Sequence, residues 1–358
     1  MSKRKIQICL LAVLVIVSMA FITCGGGGGK AAAPAAPAAP AAPAAPAAFV
    51  DNEPLEKFPS RPLEVVSQYG HGGGTDMFIR TIAVDGARYV GQSVVPLAIT
   101  GGGGMGAWER FVSQPPDGYT LYALGPEQVI MHNFGMINLL DKCQPLMRNQ
   151  LDIFLYFSRV KDDRFKTIED VIKLAKANPG KLTMAGTNPS SYDEVHLALF
   201  CMYHDIKINY VPYVSASEAF AAVLGGHVDL IHEEVGPAQG LIQSKDLRPL
   251  IVFIDKDKVD HPLIANVPTS QAKGWDPALT MGRWRGFGIS KGTNPEKMKK
   301  IVTAFEKAMK GSVYKNMEKE SLLDVRPGFM GPEDFTKFIT SELEVYKKIM
   351  DKIGMKMK

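Results

Sequence analysis

Three consecutive glycines, Gly72, Gly73 and Gly74, followed by Thr75 and Asp76, lie between a strand-like run, Leu63 to Val66, and a helical run, Asp76 to Val90. Glycine N–H groups approach an anion unhindered, a threonine hydroxyl adds a donor, and the helix behind the turn adds the positive end of its dipole. Asp76 reads as a ligand contact or a helix cap. A second run, Gly101 to Gly104, follows the strand-like Val94 to Ile99. Its Gly102 and Gly103 form either a second anion cradle or a tight crossover that needs positive φ. A third turn, Gly186-Thr187-Asn188-Pro189-Ser190-Ser191, leads into a helical stretch, Tyr192 to Tyr203, that carries His196. Thr187, Asn188, Ser190 and Ser191 offer hydroxyls and N–H groups at a helix start, again suited to a carboxylate. His196, on a partly apolar face, is a ligand contact or a packing residue. These turns predict a ligand with more than one acidic group.

The elements that position the turns alternate. Short β-type runs (Thr120 to Ala123, Ile153 to Phe157, Leu182 to Ala185, Asn209 to Val211, Leu230 to Ile231, Leu250 to Ile254) are interleaved with helical stretches such as Ile168 to Ala177 and Ser217 to Leu224. This pattern predicts α/β architecture with parallel sheets covered by helices. Thr167 with Glu169 and Asp170 marks a helix start, and Asn178-Pro179-Gly180 its end. Pro295 to Met309 and Pro332 to Ile353 read as long amphipathic helices with solvated charged faces.

The N-terminus has the form of an export signal. Lys3, Arg4 and Lys5 precede an apolar run, Ile6 to Ile22, and then Cys24 and five glycines. Residues 1–23 read as a signal peptide and Cys24 as a lipid-attachment site, with an uncleaved anchor or plain secretion as the alternatives. Each puts the domain outside the cytoplasm. Residues 24–57 read as a tether, because the Ala-Ala-Pro repeat of Ala31 to Ala48 favours polyproline II. At about 3.1 Å per residue that repeat spans roughly 50 Å. The formal net charge is +4, and removing the three basic leader residues leaves +1, so nothing suggests a nucleic-acid partner. Cys143 and Cys201 could pair or stay as buried thiols, and no CxxC or His/Cys cluster points to a metal. No cofactor is expected, since the P-loop pattern GxxxxGK[ST] and HExxH are absent.

At Gly72-Gly73-Gly74-Thr75-Asp76 and Pro115-Pro116-Asp117-Gly118-Tyr119-Thr120-Leu121 the chain resembles the periplasmic solute receptors of tripartite tricarboxylate transporters, also called Bordetella-uptake-type receptors. Further matches follow in the family's order. They are Asn178 to Leu182, Val211-Pro212-Tyr213, Leu224 to Leu230, Leu247 to Leu250, Val267 to Thr269, Trp284 to Phe287 and Lys291 to Pro295. The likeness implies a two-lobed flytrap fold with a ligand cleft between the lobes. Lobe 1 would be residues 58–157 with 285–358, and lobe 2 residues 158–284. It also implies capture of a small organic carboxylate, delivery to a two-subunit membrane permease, and a monomer. By this resemblance the Gly72 to Asp76 loop holds a carboxylate, the Thr187 to Ser191 turn opposes it, and Tyr213 faces the same cleft. One departure is Ile231-His232-Glu233-Glu234, where relatives carry a single small acid or amide. Two adjacent carboxylates would repel an all-acid ligand. Either one points away, or the ligand near Glu233 also carries hydroxyl or amine donors. Arg283 and Arg285, flanking Trp284, supply positive charge or serve as hinge or surface residues. The alternatives are the same receptor signalling to a membrane sensor kinase, and an enzyme with an acid–base site drawn from His71, His196 and Glu233.

Overall fold

The computed structural model describes residues 49–355. The leader, Cys24 and the alanine–proline repeat lie outside the described residues.

The first part of the chain runs β1 (Leu63–Ser67), α1 (Gly74–Val90), β2 (Val94–Ala98), α2 (Met105–Val112), β3 (Thr120–Leu124), α3 (Pro126–Asn133), α4 (Leu139–Lys142) and β4 (Cys143–Asp152). The middle runs β5 (Phe154–Arg159), α5 (Ile168–Ala177), β6 (Thr183–Thr187), α6 (Tyr192–His204), β7 (Asn209–Tyr213), α7 (Ala216–Gly225), β8 (Leu230–Glu234), α8 (Val235–Gln243) and β9 (Leu247–Phe253). The last part returns with β10 (Arg283–Ser290), α9 (Pro295–Met309), α10 (Ser312–Glu320) and α11 (Pro332–Lys352).

These strands form two five-stranded sheets, ordered β2-β1-β3-β10-β4 and β7-β6-β8-β5-β9. The two orders are the same arrangement repeated. In each, a parallel trio is joined to its fifth strand through one strand that runs against it, β10 in the first sheet and β5 in the second. The expected parallel pairing holds for these trios, and the reversed strand in each sheet makes the sheets mixed. The reversed strands are the ones that follow a crossing from the other lobe, so they enter from the opposite end. Sheet membership changes at Ile153 and again ahead of Arg283, slightly before the expected crossings after Phe157 and Trp284.

Burial on both faces explains the apolar strands. On β5, Phe154 and Tyr156 pack with Phe200 and Phe253 on one face, while Leu155 and Phe157 pack with Val223, Ile231 and Val252 on the other. In the first sheet, Leu63, Val65 and Phe287 pack with Phe78 of α1 and Phe305 of α9, while Val66 joins Trp108 and Tyr122 in the opposite cluster. Each such side chain contributes about 1.5–3 kcal/mol. α5 starts where the sequence predicts, with Thr167 and Asp170 forming a reciprocal capping box.

The charged helix faces are mostly solvated, but Lys297 on α9 is buried. Its Nζ donates to Asp51 Oδ1 (2.9 Å), Glu53 Oε2 (3.1 Å) and the Asp117 carbonyl (3.2 Å), and Glu53 also accepts from the Tyr119 hydroxyl (2.6 Å). Residues 51–53, expected to belong to the tether, are therefore strapped to the first lobe. Cys143 on β4 and Cys201 on α6 are free thiols. Among the described residues no helix is long and apolar enough to cross a membrane.

Candidate functional site

The C-terminal ends of β1, β3, β6, β7 and β8 are where ligands bind in open α/β sheets. The loop after β1 carries Gly72 to Asp76. Gly73 is the N-cap of α1, and no side chain caps that terminus. Asp76 instead braces the loop: its carboxylate accepts from the Gly72 N–H (3.2 Å) and Arg80 Nε (2.9 Å) and meets His71 Nδ1 (3.2 Å). Burial works against its charge, but Arg80, His71 and Gly72 hold the carboxyl below its usual range. The Asp76 carboxylate thus braces the loop, while the N–H groups of Gly73, Gly74, Thr75 and Asp76 precede the first intrahelical bond, Met77 N–H to the Gly73 carbonyl.

Glycine is required here by close approach. A Cβ on Gly72, where φ is +85°, would collide with Ser217 Oγ, and one on Gly73 would lie 3.3 Å from Ala216 Cβ. One on Gly74 would lie 2.6 Å from Arg285 Nη2. The Ser217 hydroxyl also donates to the His71 carbonyl (3.3 Å). The loop therefore meets the start of α7 across the cleft, where the resemblance led us to expect the Thr187 to Ser191 turn.

That turn is built by side chains. Thr187 donates its N–H (2.8 Å) and hydroxyl (3.0 Å) to Asp193 Oδ2, Ser191 caps α6 by accepting from the Glu194 N–H, and the Ser190 N–H donates to Glu194 Oε2 (2.7 Å). Asn188 is buried at φ 59°, with its Nδ2 unpartnered. His196 is fully buried, its Nδ1 on the Tyr156 hydroxyl (2.8 Å) and its Nε2 on the Leu279 carbonyl (3.2 Å). Burial, reinforced by His232, holds it neutral, far below the usual histidine range. Both nitrogens are used within the protein, which makes His196 a packing residue. Tyr213 is half-buried against the core of the second lobe. In the second glycine run, Gly102 and Gly103 take positive φ and face open space, while a Cβ on Gly104 would strike Gln68.

Arg283 and Arg285, which sequence reading left undecided, organise a charged centre with Glu127, Asp152 and Asp193, which it missed. Arg283 donates to Glu127 (2.7 Å), lies 3.2 Å from Asp193 and donates to Glu234 (3.2 Å). Arg285 donates to Asp152 (2.5 Å), to Glu234 (2.9 Å) and, through Nε, to the Thr75 hydroxyl (2.9 Å). All are buried. Glu127 and Thr75 come from the first lobe and Asp193 and Glu234 from the second, so the two arginines tie the lobes together. Burial opposes the charge of Asp193, yet Arg283 and His232 hold it down to about 2. Burial likewise opposes Glu234, and Arg285 outweighs it. Glu233 goes the other way: burial and then the charge of Glu234 push it well above the usual range, so it is a neutral acid that accepts from the Glu234 N–H (3.0 Å). The two adjacent glutamates thus coexist as one ion and one neutral acid. Tyr69, Thr75, Glu127, Arg283 and Arg285 line a cavity of about 10 Å³. Among the described residues no group of His, Cys, Asp or Glu is arranged to hold a metal ion.

The string Gly288-Ile289-Ser290-Lys291-Gly292 fits G-x-S-x-G. A nucleophile elbow presents an exposed serine to a base. Ser290 ends β10 buried, with an unpartnered hydroxyl, so this geometry makes no nucleophile.

Two β/α lobes that turn strand ends and helix starts toward a shared cleft define a two-lobed solute-binding receptor. Within that class, the chain belongs to the tripartite tricarboxylate transporter family of receptors, which it matches over residues 78–355. A Cupriavidus necator protein encoded in the gbd 5′ region is 31% identical over 306 residues, 84% of this chain and 90% of that one. An R. palustris protein solved with adipate superposes with a TM-score of 0.75 at 22% identity, covering 83% of this chain and 98% of that one. MatC of Rhodopseudomonas palustris, solved with malate, superposes with a TM-score of 0.73 at 20% identity, covering 82% and 99%.

Proposed function

We propose that the protein is an extracytoplasmic receptor that captures a small organic carboxylate between its lobes and delivers it, unaltered, to a two-subunit membrane permease. The observation that carries this reading is the side-chain-free N-terminus of α1, held open by Gly72 to Gly74 and facing the start of α7 across the cleft. Family membership and the bound malate and adipate of two structural neighbours support it. The ligand's carboxylate would rest on the Gly74 and Thr75 N–H groups, with Asn188 and the Thr187 to Ser191 turn contributing from the second lobe. The lobes would part and close about the crossings at Ile153 and ahead of Arg283, because a cavity of about 10 Å³ admits little more than one water. Acylation at Cys24 would hold a monomeric receptor at the membrane.

Isothermal titration with a panel of organic acids, paired with small-angle scattering, tests the reading. Binding with compaction is expected; absence of binding across the panel would overturn it.

A further inference from the structure

A cavity of about 660 Å³, the size of a small-molecule site, lies between β4, the α9 and α10 helices and the segment that joins α10 to α11. No residue of the charged centre or the glycine loop lines it. Met309, Leu323, Pro327 and the exposed Phe329 give it apolar walls. Its charges cancel: Lys310, Lys315 and Arg326 stand against Glu306, Glu318 and Asp324. Lys315 is paired with Glu318, and Arg326 with Asp255. A charged ligand finds no net countercharge there. One polar group is left over. Asn149, buried on β4, lines the cavity and donates through Nδ2 to Met309 Sδ (3.1 Å), while its Oδ1 has no hydrogen-bond partner. A buried acceptor in this state is satisfied by an N–H or O–H donor.

The wall formed by the joining segment is shared between the lobes. Leu322, at φ 58°, is buried in the second-lobe cluster that holds Val235 and Ile254, and Val325 packs on the same cluster. Lys256 Nζ donates to the Val325 carbonyl (2.8 Å), and Arg326 donates to Asp255 (3.0 Å) and the Thr280 carbonyl (2.9 Å). Leu323 instead packs with Met309 in the first-lobe core. From Pro327 onward the segment is fixed to β4. Arg148 donates to the carbonyls of Pro327 (3.1 Å) and Gly328 (2.7 Å), and its backbone pairs with Met330. Motion of the second lobe therefore pulls on this wall at Arg326, while Met309, Leu323 and Pro327 stay with the first.

We propose that this cavity is a second binding site, for a neutral, largely apolar molecule with an N–H or O–H donor, and that filling it holds the lobes in the closed arrangement. Such coupling is reciprocal, so a cleft ligand tightens the second site by the same factor. The coupling rests on the lobe motion of the receptor reading above; the site itself does not.

The probes are indole and its isostere benzofuran, which lacks the N–H. Titration of the purified protein is followed by NMR at the Met309 methyl, assigned with Met309→Leu. Indole is expected to shift that resonance and to bind at least tenfold more tightly than benzofuran, about 1.4 kcal/mol. Asn149→Leu should bring the two within twofold; if that variant does not fold, the wild-type difference is itself decisive. Saturating indole should also lower the radius of gyration in small-angle scattering. An unmoved Met309 resonance would overturn the site. Equal binding of benzofuran, or a preference that persists in folded Asn149→Leu, would overturn the role of Asn149. A Met309 shift without compaction, where an acid of the panel does compact the protein, would overturn the coupling alone. Compaction by neither would overturn the lobe motion and the coupling with it, and leave the site standing.

Discussion

In the first sheet the reversed strand, β10, carries Arg283 and Arg285, each bonded to carboxylates from both lobes or the crossing between them. In the second sheet the same position is held by β5, whose Phe154 stacks on Phe253 at 5.0 Å and whose Tyr156 bonds His196 inside its own lobe. The loops differ in the same sense. Thr187 and Ser191 are fixed by Asp193 and Glu194 of their own helix, whereas Gly72 to Gly74 are packed against α7 and Arg285. One arrangement therefore serves two ends: β5 and the turn after β6 are bonded within the second lobe, whereas β10 and the loop after β1 meet groups of the other lobe. Closure energy should be concentrated on β10.

The largest effect is expected at that strand. Arg283→Met strands Glu127, Asp193 and Glu234 without part of their counter-charge and should cost about 3–5 kcal/mol in urea unfolding. Tyr156→Phe on the matching strand should cost about 1–2 kcal/mol. Equal costs would break the contrast. Next comes Gly73→Val, whose side chain wedges against Ala216. Titration should record about a 100-fold loss of affinity, about 2.7 kcal/mol, with an unchanged melting temperature; retained affinity would remove the loop from the site. Ser191→Ala removes a cap and should cost about 1 kcal/mol of stability, an effect with no counterpart at the uncapped start of α1.

The smallest effect concerns pH. Folded protein keeps the Glu233 proton that the unfolded chain releases above about pH 4.3. Binding more protons when folded makes stability fall as pH rises from that point. Glu233→Gln should remove the decline, raising the melting temperature at pH 8 by about 3 °C with little change at pH 4.5. A decline of equal slope in both proteins would assign it to other groups.

Helices were readable where caps and period agree, as at α5 between Thr167 and Asn178 and at α9 behind Asn294-Pro295. β10 was not. Its Arg-Trp-Arg-Gly-Phe-Gly-Ile-Ser run looks like a surface loop until the ion pairs that bury its arginines are known. Its glycines are forced by contacts from far along the chain, Met147 and Arg148 on Gly286 and Cys143 on Gly288. β4 hid for the same reason, with Arg148, Asn149, Gln150 and Asp152 buried in a strand. The glycine loop announced itself because its requirement is local to the backbone. The charged centre is a property of five distant segments, and in advance only the adjacency of Glu233 and Glu234 and the arginines flanking Trp284 pointed to it.

The Lys297 strap has a mechanical consequence. Asp51 and Glu53 fasten the incoming chain to α9, so a pull on the N-terminal segment loads the first lobe and bypasses both crossings at Ile153 and Arg283. For a receptor held from that end, the first lobe is the stator and the second is the part that swings.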